Sequence, residues 1–233
     1  MNTKSLRTLS GVLFFLGIAG GLTIAVISLW THFEALNYFF TGAVNERFNG
    51  LKCPVLLTRS ETGTITADLQ NPTDREINFF YRTEVSGRFS TRQNEGRITV
   101  PPHQARSIDF TVNAEDIDLR SFIFVKITVL SNRAFPVRDD TCGIMVLDSP
   151  VLAGGQIFAG AFTLSLLTIV AGLGLGESTR ADANLSMRRP IQTLGIVVML
   201  AMLAGVIGWW LAGILLVVIS ILLLMIMMRF AFH

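Results

Sequence analysis

The sequence predicts an α + β membrane protein: four transmembrane helices, with a seven-stranded antiparallel β-sandwich inserted between the first and the second. Three observations lead there. The chain of 233 residues is 51% hydrophobic and only 15% charged, whereas a soluble domain carries about 25% charged residues. The charge is also confined, since residues 31–152 hold 13 of the 19 Lys/Arg and 15 of the 17 Asp/Glu. Inside that stretch apolar residues alternate with a period of two, and outside it they run on unbroken, which separates half-buried strands from membrane segments.

The chain opens on a short basic terminus, residues 1–9, with Lys4 and Arg7. Residues 10–30, SGVLFFLGIAGGLTIAVISLW, carry no charge and match the ~20 residues a spanning helix needs. A cleaved secretory leader also begins basic and continues apolar. This run is too long for such a leader and lacks a small-x-small cleavage site, so a retained anchor is expected. Residues 151–176 form a second uncharged run, closed by Glu177. Residues 191–228 form a third, of 38 residues. As one helix it would be about 57 Å long, nearly twice the bilayer core. It splits into spans 191–207 and 211–228 around Gly208-Trp209-Trp210, because Gly permits a turn and Trp suits the interface.

With four crossings the basic residues fall on one side: Lys4 and Arg7, then Arg180, Arg188 and Arg189 in the loop 177–190, then Arg229 in the tail 229–233. The positive-inside rule places that side in the cytoplasm. Both termini are then expected to be cytoplasmic and residues 31–152 extracytoplasmic, on a multi-pass protein of the cell (plasma or inner) membrane.

Residues 31–50 are read as a juxtamembrane amphipathic segment. Phe33, Leu36, Phe40, Val44 and Phe48 recur at helical spacing, and Gly42 weakens the helix. The segment is either an interfacial or partner-docking helix or a connector packed on the base of the sandwich. Residues 51–150 hold the strands. Ile77, Phe79, Tyr81, Thr83 and Val85 share one face, as do Ile108, Phe110 and Val112, and Ile123, Val125, Ile127 and Val129. Ile65, Ala67 and Leu69 do the same. Adding CPVLL, RITV and CGIMVL makes seven strands, separated by Asn71-Pro72-Thr73-Asp74, Pro101-Pro102 and Asn132. LQNPTDREINFFY followed by ITVPPHQARSIDFTV resembles the Ig-like and fibronectin-III-like modules of bacterial surface proteins. The resemblance covers most of residues 51–148 and implies an Ig-like sandwich without implying an activity.

Cys53 opens the first of these strands and Cys142 the last, with no third cysteine. An extracytoplasmic site permits a disulfide between them; the alternative is two buried thiols. A metal site has little support, because His103 is the only nearby histidine and four ligands are usual. The Glu115-Asp116-x-Asp118 run is read as a solvated turn, without the spacing of a calcium loop.

No cluster of nucleophile, base and ligand occurs, and no catalytic, cofactor-binding or metal residue is assigned. No cofactor is expected. The spans hold no ionisable residue at their centres, which argues against a pump or proton-coupled carrier. Their small residues, Gly17, Gly21, Gly155, Gly160, Gly172, Gly174, Gly176 and Gly205, are expected at helix–helix contacts. Phe80, Phe122 and Phe124 alternate with the core faces of their strands, so an outward apolar patch is expected, covered by a partner or by the 32–48 segment. The expected function is a non-enzymatic accessory or structural subunit of a larger membrane complex. Its partners would be other membrane-protein subunits and the lipid bilayer, with self-association possible in principle and no nucleic acid. The alternatives are a subunit of an oligomeric transport or channel assembly, and a lipid-active membrane enzyme without a recognisable motif.

Overall fold

The computed structural model describes residues 3–39, 46–48, 50–88, 90–131, 136–179 and 185–231. The chain divides into two compact units, Met1–Leu29 with Phe158–His233, and Trp30–Ile157.

The first unit is built from four helices: α1 (Thr3–Tyr38), up to Leu29; α2 (Gly154–Thr179), from Phe158; α3 (Leu185–Ile207); and α4 (Trp210–Ala231). All four are long and apolar enough to cross a membrane. Water cannot drive apolar helices together in lipid, so their association depends on close packing and internal hydrogen bonds. Small residues supply the packing. A Cβ on Gly17 would lie 2.7 Å from Ile169, and one on Gly172 would lie 2.7 Å from the Phe14 backbone. Gly21 faces Val198 and Met202 of α3, and Gly205 faces Ser28. Two serines add bonds across the α1–α2 contact: Ser10 Oγ donates to the Gly172 carbonyl at 2.7 Å and Ser165 Oγ to the Gly17 carbonyl at 2.6 Å. Phe14, Ile18, Ile24, Ile169, Leu194, Val198 and Met202 fill the space between.

Gly208 ends α3 with φ +81°. Its N–H donates to the Gly205 carbonyl and that of Trp209 to the Ala204 carbonyl. This is a Schellman cap, which only a residue at ease in the left-handed region closes cheaply. The long apolar run is therefore two helices.

The second unit contains two sheets. Strands are β1 (Glu46–Arg47), β2 (Leu51–Lys52), β3 (Leu56–Thr58), β4 (Gly63–Gln70), β5 (Ile77–Val85), β6 (Arg92–Val100), β7 (Ala105–Val112), β8 (Phe122–Ser131) and β9 (Arg138–Leu147). The larger sheet has the order β1-β9-β8-β5-β6, with β3 also on β9; the smaller is β2-β4-β7. Each of the seven alternating stretches of the sequence contains a strand. The sheet is mixed, however, and not antiparallel throughout as expected, because β1 and β3 both run parallel to β9. Between them the chain crosses to the other sheet, where β2 pairs with β4. Pro54 lacks the N–H that would continue a ladder there.

The alternating side chains meet between the sheets. Ile65 and Val112 of the smaller sheet pack with Val85, Ile123, Val125, Ile144 and Val146 of the larger. Ala67 and Leu69 pack with Phe79, Val100, Ile127 and Val129. Cys53 and Cys142 form a disulfide, Cα–Cα 6.4 Å, tying the crossing segment to the middle of β9. Asn71 holds the β4–β5 turn, donating to the carbonyls of Arg75 at 2.7 Å and Val100 at 2.9 Å.

Helix boundaries differ from expectation: α2 runs Gly154–Thr179 where 151–176 was expected, and α3 begins at Leu185 where 191 was expected; the largest consequence is in α1. α1 continues beyond Trp30 to Tyr38, so most of the first half of the juxtamembrane segment is a prolongation of the span. Phe33 is exposed, and Phe48 is buried in the sheet core. Phe40, Gly42 and Val44 lie outside the described residues.

Candidate functional site

The outward face of the larger sheet carries the three phenylalanines singled out as a patch. The register separates them. Phe80 on β5 stands opposite Leu130 of β8 and Arg97 of β6. Phe124 stands opposite Gly143 of β9. Leu130 and Phe124 are six residues apart on β8, about 20 Å at the rise of a strand. A single three-phenylalanine patch is thereby corrected: adjacent strands do not place equal phases side by side unless the register does so.

Phe122 and Phe124 do adjoin, with rings stacked at 5.8 Å. Tyr38, in the last turn of α1, stacks on Phe124 at 4.7 Å, and its hydroxyl donates to Asp118 Oδ2 at 2.8 Å. Phe124 is 0% exposed. The covering element is thus the start of the 32–48 segment, one of the two covers foreseen. Gly143 lets the helix come this close, since any Cβ there would overlap the Thr31 carbonyl. Asp139 and Thr141, on the same outward face of β9, are buried as well. Sequence reasoning missed Tyr38 and Gly143. A glycine inside an alternating strand signals close backbone approach, and that signal was available at Gly143.

A second junction lies where α2 begins. Glu61 Oε2 accepts from the Gly154 N–H at 2.7 Å, the Thr58 N–H at 2.6 Å and Thr58 Oγ1 at 2.8 Å. The Gly154 bond contributes most to holding the Glu61 carboxyl below its ordinary range, and the Thr58 bonds lower it further against the effect of burial. A carboxylate belongs at a helix N-terminus, where it meets unpaired N–H groups and the positive end of the dipole. A Cβ on Gly154 would overlap the backbone of Leu56 and Leu57. Nearby, Arg59 Nη2 donates to the Arg120 carbonyl at 3.3 Å.

The Glu115-Asp116-x-Asp118 run is distributed among separate roles. Asp116 is 4% exposed and takes a two-pronged bond from Arg92, at 3.1 and 2.8 Å. It also accepts from the Asn113 N–H, as the closing member of a capping box. Asp118 serves Tyr38. On the smaller sheet's outward face, Lys52 and Ser107 hold Asp68 below the usual carboxylate range. His103 pairs with Asp74 at 2.7 Å on the surface. Among the described residues no three His, Cys, Asp or Glu side chains gather into a metal site.

The eight small residues of the spans divide into two sets. Gly17, Gly21, Gly172, Gly176 and Gly205 lie at contacts between helices of this chain. A Cβ added at Gly155, Gly160 or Gly174 of α2 would meet no other atom within 4 Å beyond its own stretch of helix, so among the described residues these three have no helix of this chain packed against them.

No family model matches the chain, and no curated protein sequence does. Similar solved structures include the CARDB domain of the PF1109 protein from Pyrococcus furiosus, in complex with di-metal ions, at 12% identity, TM-score 0.34, over 42% of this chain and 90% of that one. A superoxide reductase (neelaredoxin) from Ignicoccus hospitalis is similar at 12% identity, TM-score 0.31, over 42% of this chain and 78% of that one. A Paenibacillus cycloisomaltooligosaccharide glucanotransferase is similar at 13% identity, TM-score 0.35, over 46% of this chain and 15% of that one. Likenesses of this degree carry no argument about activity.

Proposed function

We propose that the protein is a four-span accessory subunit of a larger membrane complex, without an enzymatic activity of its own. Its two-sheet unit would be an Ig-like sandwich on the extracytoplasmic side that contacts partner proteins there. The observation that carries the reading is on α2. Gly155, Gly160 and Gly174 have open space where a Cβ would stand, and the α2 span, like that of α4, is 17% buried, against 33% for α3 and 39% for α1. Small residues are where membrane helices approach most closely, and Gly160 and Gly174, which at 3.6 residues per turn fall near one face of α2, are left for a helix of another chain.

The test is purification in mild detergent followed by mass spectrometry of what accompanies the chain. A defined set of other membrane proteins, reduced by Gly160→Ile without loss of the chain itself, is the expected result. A ring of identical copies would favour the channel reading. Turnover of a lipid by the chain alone would favour the enzyme.

A further inference from the structure

We propose that the end of the two-sheet unit from which α2 departs rests in the phospholipid headgroup layer. Leu119, Val151 and Leu152 meet the acyl boundary, and Arg59 and Arg120 meet lipid phosphates. This rests on the helices spanning the bilayer and not on any partner subunit.

The residues come together through contacts within the two-sheet unit. Glu61 accepts the first N–H of α2 and is itself held by Thr58, and Arg59 between them reaches the Arg120 carbonyl. Leu119 precedes Arg120, and Val151 and Leu152 precede α2. The three aliphatic side chains are 58%, 83% and 52% exposed, an unusual grouping for a surface bathed in water.

Depth is set independently by two helices. From Gly154 to Glu177, the first charge at the far end of α2, is about 35 Å at a helix's rise. The hydrocarbon core is about 30 Å thick, and the headgroup layers bring the total to about 40–45 Å. Gly154 therefore lies at headgroup level. On α1 the exposed apolar stripe takes in Leu9, Val12, Leu16, Val26, Trp30 and Phe33, and the exposed residue one turn further is Asn37. Leu9 to Phe33 is about 36 Å, close to the length on α2, so this stripe ends at headgroup level as well, with a Trp where interfaces favour one.

The turn Asp118–Phe122 is built to hold its tip in an unfavourable conformation. Leu119 has φ 44° and Arg120 φ 71°, a region bulky side chains avoid. Reciprocal backbone bonds between Asp118 and Phe122, 2.7 and 3.1 Å, and Asp118 Oδ1 accepting from the Leu119 N–H at 2.7 Å hold it there. Such strain persists where the surroundings over-determine it and marks functional segments. Arginine suits the layer, with a stem at home beside apolar groups and a fork that matches phosphate. Exposed Asp148 lies in the same stretch as Val151, so the surface is not strongly basic. The contact is therefore short-range, and salt will not weaken it much.

The full chain, spin-labelled at L119C and reconstituted in phosphatidylcholine vesicles, tests this, with N94C as the control. At 119 the ratio of oxygen to nickel-chelate accessibility should be several-fold higher than at 94, at low and high salt alike. R59Q/R120Q should lower that ratio and R59K/R120K should largely restore it. Equal ratios at 119 and 94, in vesicles from which alkali does not strip the chain, overturn the lipid contact and leave the spans standing. Stripping by alkali overturns both. Shielding of 119 only in native membranes assigns the surface to a protein and overturns the proposal. A ratio unmoved by R59Q/R120Q overturns the phosphate contact.

Discussion

Gly143 and Gly154 are the positions where α1 and α2 come against the sheet with no room for a side chain, and in both cases the obstacle is backbone. Gly143→Ala is expected to cost at least the ~1–3 kcal/mol of ordinary overpacking, read as a lower melting temperature of the detergent-solubilised chain. Gly155→Ala, with open space at its Cβ, should leave that temperature unchanged or raise it slightly, since Ala favours a helix over Gly. Phe124 poses a sharper choice. A bare outward phenylalanine could become serine without harm to the fold, whereas Phe124 is closed in beneath Tyr38. Emptying that site should cost about 3–5 kcal/mol, as for a buried Phe→Ala, and the domain should unfold at much lower denaturant. At Glu61 the folded-state pKa is lowered, so the unfolded chain binds the proton more readily and stability rises with pH through this group. Its contribution is present above the ordinary glutamate range and is lost as pH falls through the folded-state value. Glu61→Gln should flatten the acid limb of a stability–pH curve; an unchanged limb would mean the Gly154 contact contributes nothing.

Among the elements, period-two alternation found every long strand, because one side of each faces the shared core and the other does not. It could not find β1 and β2, which have two residues each and therefore no period. It also could not show that β1 and β3 run parallel to β9, since pairing direction leaves no mark on one strand's alternation. The end of α1 was hidden for a related reason. Thr31 to Tyr38 looks amphipathic beside a span, and nothing local says that the helix continues onto the sheet. Phe80 was misplaced because phase is visible in one strand and register only in two. The disulfide, by contrast, followed from two cysteines at the starts of predicted strands. Replacing both by alanine should cost about 2–5 kcal/mol. The loss should be seen as an earlier denaturant midpoint under non-reducing conditions, equal to that of the reduced wild type.

At the level of the whole chain, the helices were legible from apolar length, and the break at Gly208 from excess length joined to a turn residue. The orientation rests on the distribution of Lys and Arg. It predicts that a cysteine introduced at Asn94 reacts with an impermeant reagent on intact cells while one at Ser186 is shielded. The opposite pattern would invert the protein in the membrane and move the two-sheet unit inside. What the chain serves was far less legible. A catalytic site announces itself by residue types at fixed spacing, whereas a surface that meets another protein needs only shape, and shape depends on register and helix packing that one sequence does not display.

The cap at Gly208 bears on how such a chain is made. Two residues, Gly208 and Trp209, separate α3 from α4, and neither carries charge. A hairpin closed this tightly can enter a bilayer as a single wedge, with no hydrophilic loop to haul across and few backbone groups stripped of water on the way. Its last two crossings therefore require little from the translocation machinery beyond a lateral exit; in the orientation that the Lys/Arg distribution predicts, the first hairpin would have to deliver more than a hundred polar-rich residues to the far side and would be the costly step of its biogenesis.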